Sequence, residues 1–257
     1  MADTLKLLGK EDIVPAAADK ALFRVAPIMV FATTVMVFVV VPFGKGIIAA
    51  DLDIGLVYFL AVSGLAFIGI LAGGWASNSK YSLMGGMRSA AQIVSYEAPA
   101  VLTVLSVALL AGSLRMTDVV RAQPAIGYVI LQPVGFLLFL IASNAEINRA
   151  PLDLPESDSE LVSGFLTEYS AMKFAFFFLA EYTNLFLAGA FATTLFLGGW
   201  RGPFLPPVVW FFIKTYAVIF VLMWIRWTFP RLRVDHLMEF SWKILLPLAL
   251  LNLVVTP

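Results

Sequence analysis

Cysteine is absent from the 257 residues, which excludes disulfides, thiolate nucleophiles and thiolate-held zinc or iron–sulfur centres. Histidine is nearly absent: His236 stands alone, and one imidazole builds neither a metal site nor haem ligation. Charge is scarce as well, at 13% of residues against about 25% in soluble domains. The 17 acidic and 17 basic residues cancel, so nothing points to nucleic acid or to an acidic substrate. What remains is apolar: 61% of the chain, with 22 Phe and a mean hydropathy of +0.92. Any redox chemistry this chain serves has its centres elsewhere.

Apolar runs of about 20 residues, the length that crosses roughly 30 Å of hydrocarbon, recur at about 22–43, 54–75, 90–111, 126–146, 169–196, 206–227 and 239–256. The expected fold is therefore an all-α integral membrane protein, with about seven transmembrane helices and short amphipathic surface helices, in a single membrane domain over residues 1–257. Turn signals such as Pro42-Phe43-Gly44-Lys45-Gly46 and Gly198-Gly199-Trp200-Arg201-Gly202-Pro203 separate the runs. Residues 1–20 alternate leucine with charge and read as an interfacial segment, and Leu114 to Gln123 reads as a surface helix too short to cross.

One stretch breaks the pattern. Asp153, Glu156, Asp158, Glu160 and Glu168 place five of the 17 acidic residues within 16 positions. Each charge at mid-bilayer costs roughly 2.5–3.5 kcal/mol, so 147–168 is expected to be an extramembrane acidic loop. Alternate connections carry ten Lys or Arg on one side against four on the other. The positive-inside rule then puts the N-terminus and this loop in the cytoplasm and the C-terminus outside.

Several ionisable residues fall inside the runs: Glu97, Glu181, Lys173, Lys214, Lys243 and, at an edge, Glu146. Such groups face a protein interior or wet cavity, where they pair or relay protons, or else they snorkel from helix ends. Lys243 and Glu239, four apart, and Glu146 and Arg149, three apart, are expected to pair locally. Glu181 lies 13 positions beyond Glu168, about 20 Å along a helix. Lys173 is only loosely on its face, so Glu181 is read as a proton-handling group without a cation partner. Glu97 precedes Pro99, which opens the helix ladder beside it. Carboxylates in three helices suggest a polar path.

Eight motifs in register carry a family resemblance. They are 2–12 (ADTLKLLGKED), 74–82 (GWASNSKYS), Ser95-Tyr96-Glu97, 148–156 (NRAPLDLPE), Thr167-Glu168-Tyr169-Ser170, Ala180-Glu181-Tyr182, 196–200 (FLGGW) and 230–233 (PRLR). Together they resemble the H-subunit family of proton-pumping NADH:quinone oxidoreductase, the equivalent of subunit 1 of mitochondrial complex I. Members of that family carry one further membrane helix and a basic, glycine-rich loop ahead of the matching region. The resemblance implies that this sequence corresponds to the part after them. Val234 and His236 stand where tyrosine and glutamine are more usual, and His236 is read as an interfacial residue without a special task.

The resemblance implies a bacterial inner-membrane subunit at the junction of membrane and hydrophilic arms, with quinone as substrate and both other membrane subunits and hydrophilic-arm subunits as partners. Iron–sulfur clusters and FMN belong to those partners, and none is bound by this chain. By the same resemblance Glu97, Glu146, Glu168 and Glu181 form the proton path, while Arg149, Asp153, Glu156 and Glu160 belong to the loop beside the quinone chamber. Three other readings stay open at this point: the homologous subunit of a membrane-bound hydrogenase, a stand-alone secondary transporter, and a bare membrane anchor.

Overall fold

The computed structural model describes residues 6–124, 127–153 and 161–256. Helix α1 (Lys20–Val37) starts where Asp19 caps it, its carboxylate accepting from the amides of Ala21 and Leu22 at 3.0 and 3.3 Å. Helices α2 (Gly55–Gly64) and α3 (Ala66–Ala76) are two halves of one crossing, interrupted at Leu65. Helix α4 (Lys80–Ala111) follows and stops at Gly112, whose φ of 64° is the left-handed C-terminal signal. Then come α5 (Met116–Ala122), α6 (Tyr128–Leu131), α7 (Pro133–Glu146), α8 (Ala171–Phe196), α9 (Pro207–Thr228), α10 (Val234–Phe240), a π-turn (Ser241–Leu245) and α11 (Leu246–Val255). Among the described residues the one extended pairing is an isolated bridge between Gly44 and Ile47.

Six helical stretches are long and apolar enough to cross a membrane, and Pro133–Glu146 is a shorter apolar helix. This is an all-α membrane protein. The crossing expected at 126–146 is broken at Gln132, because Pro133 has no amide hydrogen and starts a new helix at its first position. Helix α4 starts ten residues ahead of the expected 90, since Lys80 and Arg88 dilute the hydropathy of turns whose Ser82, Gly85, Gly86 and Ser89 are buried. Its 32 residues span about 48 Å at 1.5 Å each, well over the roughly 30 Å core.

Helix α4 is also the packing centre, touching α3, α7 and α11, while α8 lies between α1 and α9. At Gly85 an added Cβ would sit 2.7 Å from Gly164 and Phe165, so the 3-10 turn Gly164–Leu166 lies directly against α4. At the opposite end of α4, Arg115 pairs with Asp53, with Asp51 and Asp118 close by. The Asp53 hydrogen bond and charge hold the Arg115 guanidinium above its ordinary value, with smaller help from Asp51 and Asp118. Lys214 donates to the carbonyls of Leu197, Gly199 and Arg201 at 2.7, 3.2 and 2.6 Å and so closes the C-terminal end of α8. Lys243 and Glu239 pair as the four-residue spacing predicts.

Candidate functional site

A cavity of about 100 Å³ lies among α1, α2, α3, α4, α7 and α8, with most of its wall apolar. A site needs only about 10–15 Å³ by this measure per water, so several fit. Its polar wall is assembled from different helices: Glu97 from α4, Ser143 and Glu146 from α7, and Glu181 and Asn184 from α8. Ser63 and Gly64 line it where the α2–α3 crossing is interrupted. A Cβ on Gly64 would stand 2.6 Å from Glu97 Oε1, so this glycine leaves the space the carboxylate occupies.

Three of the four residues assigned to the proton path thus face one chamber. Glu168 does not line it; it lies half-buried just past the 3-10 turn. Of the loop residues, Arg149 and Asp153 lie at the loop's root, whereas Glu156 and Glu160 fall outside the described residues.

Arg149 corrects two expectations. It forms no local pair with Glu146; its Nε bonds Glu181 Oε1 at 2.6 Å, with 4% and 20% of the two side chains exposed. The reason is the backbone at Asn148, which takes φ 56° and ends α7 in the left-handed region, destroying the helical i, i+3 geometry between 146 and 149. Glu181 therefore has a buried cation partner after all, supplied by the acidic loop's root rather than by its own helix. The guanidinium also lies over the Tyr182 ring, 4.5 Å from its centroid. Lys173 turns the other way, to Asp12 at 2.8 Å.

The loop root is tied down by one residue that carries no signal in the sequence pattern, Gln92, and by two that fall in the motifs, Asn148 and Arg231. Gln92, fully buried on α4, donates to the carbonyls of Ala145 and Leu152 at 2.8 and 2.6 Å, spanning the turn between Glu146 and Asp153. Asn148 donates to Ser89 at 3.0 Å, and Arg231 pairs with Asp153 at 3.2 Å. A usable signal does exist for two other polar residues of the chamber: Ser143 and Asn184 lie three positions from Glu146 and Glu181, hence on the same helix faces. Among the described residues no group of three or more His, Asp or Glu is arranged to hold a metal.

The chain matches the family model described as NADH dehydrogenase over residues 1–257. It is 54% identical over 260 residues to the H subunit of the NADH-quinone oxidoreductase of Bacillus cytotoxicus, covering 100% of this chain and 78% of that protein. The H subunits of the Geobacillus kaustophilus and Bacillus mycoides enzymes are each 55% identical over the same lengths.

Proposed function

The chain belongs to the NADH dehydrogenase family, and from that premise we propose that it is the membrane subunit coupling quinone reduction to proton translocation in a multi-subunit NADH:quinone oxidoreductase. The loop from 147 to 168 faces the cytoplasm beside the quinone, the C-terminus lies outside, and residues 1–20 lie at the interface. The FMN and the iron–sulfur clusters sit in partner subunits. This chain contributes walls and charges. The names of the relatives favour this reading over a hydrogenase component or an independent transporter.

The observation that supports it most is the meeting of Glu97, Glu146 and Glu181, from three helices, in one chamber to which Arg149 connects the loop. A new charge about 10 Å away, at an effective dielectric near 20, is worth about 1.7 kcal/mol, enough to move a carboxylate by roughly one pKa unit. Quinone reduction changes charge and demands protons, and the loop root is the nearest part of this chain to respond. Withdrawal of Arg149 from Glu181 leaves a buried carboxylate without its counter-ion, whose least costly response is to take a proton. Protons then redistribute among Glu181, Glu146 and Glu97 as one coupled cluster, with Glu168 at the loop's far end serving exchange with the cytoplasm.

Inside-out membrane vesicles carrying Glu146→Gln or Glu181→Gln test this reading. NADH-driven, quinone-linked proton uptake is expected to be severely reduced while the NADH:ferricyanide rate of the hydrophilic arm is kept. Full pumping in both variants would overturn it.

A further inference from the structure

The helix that carries Glu97 receives a hydrogen bond from outside itself at the point where proline removes a donor from its ladder. A continuous helix would give the carbonyl of Ser95 a bond from the amide of residue 99, but Pro99 has no amide hydrogen. That carbonyl accepts instead from Ser241 Oγ at 2.7 Å. Ser241 is fully buried and opens the π-turn Ser241–Leu245, a widened turn of a kind concentrated at functional sites. Two more bonds fasten this part of α4, one to the π-turn and one to α10. Trp242 Nε1 donates to Ser95 Oγ at 3.3 Å, and the Tyr96 hydroxyl donates to the carbonyl of Leu237 at 3.0 Å. All of this converges on the two residues immediately before Glu97.

We propose that Ser241 is a positioning residue for Glu97: its hydroxyl replaces the backbone bond that Pro99 removes, and thereby fixes the direction in which the α4 carboxylate enters the chamber. The geometry is specific to the site of the missing amide. A hydroxyl that served only to pack α10 and α11 on α4 has no reason to meet the one carbonyl left open by the proline. On the other side Gly64 leaves the room its carboxylate occupies, so Glu97 sits between an open position on one helix and a braced turn of another. The inference rests on Glu97 taking part in proton transfer, as argued above.

The test uses the assembled complex in membrane vesicles, with Glu97→Gln measured in parallel. Because misplacing a reacting group costs up to about 100-fold, Ser241→Ala is expected to slow NADH-driven proton pumping by about tenfold without changing the NADH:ferricyanide rate. Ser241→Thr, which keeps the hydroxyl, is expected to pump normally. The decisive variant is Pro99→Ala/Ser241→Ala, in which residue 99 regains an amide hydrogen for the Ser95 carbonyl; it is expected to recover at least half of the lost rate. Should Ser241→Ala fail to assemble, pumping per assembled complex in the double variant decides: at least half the wild-type rate supports the proposal, and assembly without pumping overturns it. Full pumping by Ser241→Ala, or no recovery in the double variant, overturns the proposal. Full pumping by Glu97→Gln instead removes Glu97 from the proton path, a separate failure.

Discussion

At the residue scale, the Arg149–Glu181 pair is the contact that sequence spacing does not foretell and that carries most consequence. Removing one partner of a buried pair costs about 3–5 kcal/mol, because the other charge is stranded. Arg149→Ala is therefore expected to lower the amount of assembled complex on native gels and to abolish most quinone-linked turnover in what remains. Arg149→Ala/Glu181→Gln, which strands no charge, is expected to restore assembly but not pumping; restoration of neither would place Arg149's role elsewhere. Gly64 makes a second residue-scale prediction. Gly64→Ala is expected to assemble, since the atom it meets is the end of a flexible side chain, yet to reduce pumping by displacing Glu97. Unchanged pumping would mean that the chamber tolerates a shifted carboxylate.

At the scale of elements, apolar run length locates most crossings within a few residues, and it fails where backbone chemistry decides. Gln132-Pro133 splits one crossing, and buried serines and glycines extend α4 through a stretch whose charges hide it. The carboxylates of the site are legible because a charge within an apolar run needs a reason. Arg149 is visible as a residue but not as a partner, since the left-handed turn at Asn148 that redirects it leaves no periodic mark. Gln92 is invisible for a similar reason: a single amide in a helix says nothing about two carbonyls 53 and 60 positions away. Gln92→Leu keeps the volume and removes both N–H donors; the Ala145 carbonyl keeps its bond from the Asn148 amide, and the Leu152 carbonyl loses its donor at a cost of about 1–3 kcal/mol. Faster hydrogen exchange across 145–153 in the purified complex is the expected outcome, with protection unchanged in α8; equal exchange in variant and wild type would show that Gln92 does not hold the loop root.

For the whole molecule, the bundle leaves α9 and the α10–α11 crossing mostly uncovered, with 22% and 17% of their most apolar windows buried. Lipid and the partner subunits of the proposed complex are the surfaces that meet them. Orientation rests on ten basic residues against four, and the cysteine-free chain makes it directly measurable. Lys45→Cys is expected to react with a membrane-impermeant maleimide in intact spheroplasts, and Arg233→Cys only after permeabilisation. The reverse pattern would invert the topology and move the acidic loop away from the hydrophilic arm. The central claim, that charge at the quinone is answered by protons on the chamber glutamates, is tested most directly by infrared difference spectroscopy of the assembled complex between its oxidised and reduced quinone states. Carboxyl C=O bands are expected to change on reduction, and to be lost or displaced when Glu146→Gln, Glu181→Gln or Glu97→Gln is introduced; carboxyl bands identical in wild type and all three variants would contradict it.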